Sequence, residues 1–303
     1  MGRSIPLSFP ASAWSESMSM YVLGVEGSGT PIEAEWSTLR AALARCARGT
    51  TTFDAVGHSS AAIAQATRMW TLRMEAEHRS TAVFAAMATQ LMEANATLDA
   101  KAVVLRMAQD ELRHTELCAE VVRALGGDPR CTVQTNLVPL ARHPGRSPEE
   151  RALRNVIYGC CLSETVNAAR FVDALETIGE PLMRDATRLL LADERLHSQF
   201  GFFYLEAWRP WLDAHPDVRG SIERYLRHAF VIFERELSGV GHAPAPMTDE
   251  ERALGLPDRQ RLPETFYATV EHAIVPGLER FGIDAGTSWK RRALEGAPAA
   301  PMP

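Results

Sequence analysis

The chain has 303 residues, of which 46% are apolar and 23% charged, a globular composition with enough length for one large domain or two small ones. Its net charge of −6 argues against a nucleic-acid binder that works through phosphate contacts, a class that carries a basic surplus.

Residues 1–30, rich in Ser, Gly and Pro and without periodicity, read as a surface arm with at most one short ordered piece. Glu33 to Arg48 alternates charge with Ala and Leu at helical spacing, so residues 1–58 are expected to form an arm and a short helix. Four long segments with period near 3.6 and strong helix formers follow. The first runs from Ser59 to Ala96 and the second from Asp99 to Leu125, stopped by Gly126-Gly127-Asp128-Pro129. Cys131 to Ser147, with Pro139 and Pro144, is a crossover. Ser147-Pro148-Glu149-Glu150 then starts a third helix, with a capping serine, proline at the first position and acids in the first turn. It runs to Ile178. The fourth spans Leu182 to Trp208, with Pro210 near its end. A fifth helix is expected at Val218 to Leu237, a loop at Ser238 to Pro263 and a sixth helix at Glu264 to Phe281. Residues 212–296 are thus accessory helices and 297–303 a disordered tail. No β-hairpin signal is present, and the expected class is all-α.

The longest uninterrupted apolar run, Ala82 to Ala88, falls far short of the ~20 residues a membrane helix needs. The N-terminus, with Arg3 as its early charge and no apolar segment, does not read as a signal peptide. Five cysteines (Cys46, Cys118, Cys131, Cys160 and Cys161) form no C-x-x-C pair. Neither a disulfide framework nor a cysteine zinc site is expected, and a reducing cytoplasm fits.

Two motifs carry chemistry. Asp110-Glu111-Leu112-Arg113-His114 lies inside the second long helix and Asp193-Glu194-Arg195-Leu196-His197 inside the fourth. A Glu and a His three apart share one helix face, so both can reach one ion. Carboxylate oxygen with imidazole nitrogen suits iron or manganese. One E-x-x-H alone is more often a solvated charge pattern. Here each copy is preceded by a helix offering a further Glu: Glu77 before Glu111, and Glu164 before Glu194, at separations that fit a helix running up and a second running back to the same level. Each half also places a Phe seven residues after its first Glu, Phe84 and Phe171. Two such halves make a symmetric two-metal site. Glu75 competes with Glu77, but the two lie roughly 200° apart on a helix. The stripe of Trp70, Met74, Thr81, Phe84, Ala88 and Leu91 marks the Glu77 side as the core face. Four buried glutamates repel one another unless cations compensate them.

This doubled pattern over residues 59–211 resembles the ferritin-like dinuclear carboxylate proteins, four-helix bundles with one Glu from each of two helices and Glu-x-x-His from each of the other two. The resemblance implies a ferritin-like four-helix bundle with additional N- and C-terminal helices. It implies Glu77, Glu111, His114, Glu164, Glu194 and His197 as ligands of two iron ions (manganese or mixed manganese/iron as variants), with O2 as co-substrate. Asp110 and Asp193 resemble the family's supporting aspartates, which accept the second ring N–H of a histidine ligand. Arg113 sits where the family pattern has Arg, whereas Arg195 is displaced by one.

Departures from the pattern narrow the reaction. A rubredoxin-type cysteine motif is missing, Asn167 stands where rubrerythrin-like proteins have an extra Glu, and Leu190 stands where arylamine oxygenases have an extra His. The long C-terminal extension argues against cage packing and can wall a pocket, which Phe84, Met107, Phe171, Leu190, Leu191 and Phe200 would make apolar. The resulting expectation is a di-iron oxidase or oxygenase acting on a small organic substrate. An electron-donor protein and a homodimer are the protein partners considered, with no nucleic acid or membrane. The alternatives are a metal-handling or peroxide-scavenging protein, and a helical interaction protein with a structural metal site. Cys118, Cys160, Cys161, Met69, Met74, Met87 and Met92 are expected as core, Tyr204 as a buried phenol with its hydroxyl satisfied, and Arg291-Arg292 as a solvated pair.

Overall fold

The computed structural model describes residues 20–23, 34, 37–39, 41–42, 52–134, 140–240 and 247–292. Helix α1 (Ser60–Glu93) starts at the expected serine: Ser59 is extended and its side chain accepts from the Ala62 amide at 3.2 Å, satisfying one of the amides a helix start leaves unpaired. A short turn at Asn95, in the left-handed region with φ 49°, returns the chain into α2 (Leu98–Ala124). The turn is short, as antiparallel neighbours require, and α1 and α2 pack against each other along their length.

The first departure from expectation is a ribbon. Strand β1 (Met20–Leu23) pairs antiparallel with β2 (Cys131–Gln134), Leu23 opposite Cys131. The segment expected as an irregular crossover therefore begins as a strand, and Leu23 and Val133 bury into the adjoining core.

Ser147 caps α3 (Pro148–Val156), accepting from the Glu150 amide at 3.3 Å. The rod continues through a π-helical stretch (Ile157–Glu164) into α4 (Thr165–Thr177). Helix α5 (Pro181–Ala214) runs through Pro210, beyond its expected end at Trp208. Helix α6 (Pro216–Leu237) follows after His215 alone. The expected loop at Ser238 to Pro263 contains α7 (Asp249–Ala253), held by a capping box of Thr248 and Glu251. In place of one sixth helix stand α8 (Leu262–Thr269), a second π stretch (Val270–Ile274) and α9 (Val275–Glu279), and α10 (Ala285–Arg291) is additional. Of Glu33 to Arg48, residues 34, 37–39 and 41–42 are helical; the tail 297–303 lies outside the described residues. Among the described residues no helix is long and apolar enough to cross a membrane.

The apolar interior forms two clusters. One gathers Trp70, Met74, Leu117, Cys118, Phe171, Met183 and Leu190. The other gathers Phe84, Met87, Met107, Ile157, Phe200 and Tyr204, together with Phe230, Phe233, Phe266 and Trp289 of the C-terminal helices. Along α1, α2 and α5 the residues of the first cluster lie on one side of the Glu77, Glu111 and Glu194 level and those of the second on the other, so a polar layer divides the core. Two expectations about single side chains fail in this core: Met92 is exposed, and Arg292 is not merely solvated, since it donates to Glu234 at 2.8 Å and lies 3.2 Å over the Trp289 ring.

Candidate metal centre

All six sequence-predicted ligands meet in that layer. Glu77 comes from α1, Glu111 and His114 from α2, Glu164 from the end of the π stretch, and Glu194 and His197 from α5, and every one is buried. Their ligand atoms form two groups: Glu77, Glu111, His114 and Glu194 in one, Glu164, Glu194 and His197 in the other. Within each group the atoms lie within 4.8 Å of one another. Glu75 is only half-buried.

The two central carboxylates connect the groups. Glu111 Oε2 lies 3.5 Å from His114 Nδ1, and its Oε1 lies 3.1 Å from His197 Nδ1. Glu194 repeats this, with Oε1 at 3.4 Å from His114 Nδ1 and Oε2 at 3.3 Å from His197 Nδ1. Glu77 Oε2 reaches His114 Nδ1 at 3.5 Å. Both imidazoles thus turn Nδ1 toward carboxylates.

Their other nitrogens point to the two aspartates, across the layer. His114 Nε2 lies 3.2 Å from Asp193 Oδ2, and His197 Nε2 lies 3.5 Å from Asp110 Oδ2. Arg113 joins the aspartates, donating through Nη1 to Asp110 Oδ1 at 3.1 Å and through Nη2 to Asp193 Oδ2. Arg106 Nε donates to Asp110 Oδ1 at 2.9 Å. Arg106 was not singled out from sequence, although its position four residues before Asp110 is the spacing of a helical ion pair. Arg195 is exposed and takes no part.

The electrostatics match a cation site. Burial pushes the Glu164 carboxyl well above its usual range, and the charges of Glu194 and Glu111 add to this. Burial pulls His114 down, but the Glu111 and Glu77 acceptors and the Glu111 and Glu194 charges outweigh it, raising the imidazole to about 10. His197 is likewise raised: burial opposes protonation, and Glu194 and Asp110 overcome it. A cluster that binds protons this strongly is short of positive charge. His114 Nδ1, His197 Nδ1, Glu111 Oε2 and Glu194 Oε2 are buried without a hydrogen-bond partner. Unpaired donor atoms of this kind, converging on one place in a well-packed core, are costly and are the atoms a metal ion would take. The cluster can hold a metal ion, and its N/O donors suit iron or manganese.

The surroundings are apolar and tightly fitted. Phe84 stands edge-on to His197 at 5.3 Å between centroids. Asn167 Nδ2 donates to Glu164 Oε2 at 3.3 Å, and Thr165 Oγ1 bonds Ser198 Oγ at 2.8 Å, tying α4 to α5 beside the ligands. Gly201 allows that approach: a Cβ there would stand 2.5 Å from Cys161 Sγ and 2.8 Å from Cys161 N. Tyr204 is buried as expected, but its hydroxyl finds no partner. No protein-family model matches the chain, and no curated protein does.

Proposed function

We propose that the chain is a non-haem di-iron oxidase or oxygenase on a ferritin-like four-helix bundle, using O2 on a small organic substrate. The observation that carries this reading is the pair of central carboxylates, Glu111 and Glu194, each placing one oxygen near each histidine. Glu111 and Glu194 would serve two ions together, Glu77 and His114 would help hold one, and Glu164 and His197 the other.

Two bound iron ions would supply the electrons that reduce O2. The chain's own part is to hold and shield them. Asp193 fixes the proton of His114 on Nε2, and Asp110 faces the Nε2 of His197 at 3.5 Å, so that each Nδ1 is directed into the cluster. Arg113 keeps both aspartates in place and offsets their charge. Phe84, Met107, Leu190 and Phe200, all buried, keep bulk water away from the cluster and surround it with apolar side chains. Oxygenation consumes external electrons, so the reading includes an electron-donor protein.

Anaerobic loading with Fe(II), followed by mixing with O2 in a stopped-flow spectrophotometer, tests it. The expected result is fast O2 uptake that ends once the iron pair is oxidised, with no continued oxidation of excess Fe(II). Continued oxidation and retention of many irons per chain would instead show an iron-storage protein. Absence of O2 uptake by the loaded protein would show a structural metal site.

A further inference from the structure

One cation close to the centre is not used by it. Arg73 lies on α1 one turn before Glu77. Its guanidinium is sandwiched between two aromatic faces, 4.6 Å over the buried Trp70 ring and 4.9 Å over the Phe171 ring of α4. Among the described residues it makes no hydrogen bond or ion pair, although Arg106 and Arg113, the other arginines of this layer, are both bound to aspartates. Burial lowers its pKa, while Cys118, Glu77 and Glu194 are close enough for their charges to oppose the shift. The side chain is half-buried, with its guanidinium lying against these two rings. A guanidinium held by ring faces alone keeps its in-plane N–H donors available, and such donors match a carboxylate.

Two further polar groups are orphaned at the same level. Trp70 Nε1 and Thr187 Oγ1 are buried without hydrogen-bond partners. Trp70 stands seven residues before Glu77 and Thr187 seven before Glu194, both about 10 Å of helix rise from the ligands. Between these groups and the centre lie apolar side chains: Met74, Phe171, Leu190 and Leu191. A polar end and an apolar approach to the reacting centre describe an amphipathic ligand.

Building on the di-iron reading, we propose that Arg73 anchors the substrate by a carboxylate, and that the substrate is a carboxylic acid with an apolar body extending from Arg73 toward Glu77 and Glu194. Arg73 acts here as a specificity-determining residue: it sets which molecule enters and which carbon faces the centre.

Binding of octanoate and of octanol to the full-length protein, purified and kept under nitrogen, tests this by calorimetry. Metal content is measured on the same samples. The expected result is that octanoate binds about tenfold or more tightly than octanol. Arg73→Gln should remove that preference, weakening octanoate about tenfold while leaving octanol within twofold, and Arg73→Lys should restore part of it. Equal binding of acid and alcohol by the parent protein, no binding of the acid, or octanoate affinity within twofold in Arg73→Gln would overturn the proposal and identify Arg73 as a counter-charge for the glutamates. The parent comparison stands even where a variant fails to fold. Arg73-dependent octanoate binding in a protein that takes up no metal would keep the anchor and sink the di-iron reading. Metal uptake without a preference for the acid would do the reverse.

Discussion

Replacing Asp193 separates metal support from fold support. Asp193 Oδ2 accepts from His114 Nε2 at 3.2 Å and from Arg113 Nη2. Asp193→Ala frees the His114 ring and its tautomer, and the lost charge-assisted hydrogen bond is worth about 1.5–3 kcal/mol. Loss of such a partner costs about 10–100-fold in metal affinity, or about 1.4–2.7 kcal/mol. Arg113 keeps Asp110 at 3.1 Å, so the fold should survive. Asp110→Ala has the opposite balance. Its reach to His197 is longer, 3.5 Å, but it also accepts from Arg106 at 2.9 Å and Arg113 at 3.1 Å. Removing it takes a partner from two arginines and from a histidine already less firmly held. Asp193→Ala should therefore lose more metal affinity, at the ion bound by His114, and Asp110→Ala more thermal stability. Anaerobic Fe(II) titration with parallel thermal melts of the metal-free proteins measures both. Affinity within twofold of the parent in Asp193→Ala would refute the supporting role of the aspartate.

Three other outcomes follow from the same geometry. Glu77→Ala should empty one ion position while Glu75→Ala leaves metal content unchanged, by elemental analysis; the reverse would mean that the phase of α1 is wrong. Gly201→Ala forces a Cβ against the Cys161 backbone and should destabilise the protein by about 1–3 kcal/mol in urea unfolding; unchanged stability would show that α5 and the π stretch can part freely. Metal binding should release protons at neutral pH, because His114 is raised to about 10 and His197 and Glu164 are raised with it, so the metal-free cluster holds protons there. Affinity should accordingly climb with pH until His114 is deprotonated near about 10, and calorimetry in buffers of different ionisation enthalpy that found no proton release would contradict this.

The helices were legible because their signals are local. The Ser59 and Ser147 caps, the Gly126 stop and the apolar stripe through Trp70, Met74 and Phe84 each reside in one stretch of chain, and the structure places them as read. The doubled motif was legible for the same reason: residues three apart on a helix share a face wherever the helix goes. What was missed depends on partners distant in sequence. β1 and β2 are short and meet only through the fold, so neither run announces a strand. The π stretch that ends at Glu164 alters the helix phase, and no residue type marks it; π turns are frequent at functional sites. Helix α5 continues past Pro210, which forgoes the bond to the carbonyl four residues back, and the helix runs only about one further turn to Ala214. Arg73 did leave a sequence trace, as a charge four residues before a ligand in an otherwise apolar setting, but only the rings of Trp70 and Phe171 show where it points.

The most direct test of the central claim is the metal stoichiometry of the full-length protein after anaerobic reconstitution with Fe(II) and removal of loosely bound ions. Elemental analysis should find about two iron ions per chain, falling below one in Glu194→Ala, because Glu194 serves both groups, and in Glu111→Ala, because the two Glu111 oxygens face both histidines. A single tightly held ion, or two ions that persist when Glu111 and Glu194 are both replaced, would contradict a centre built on shared carboxylates.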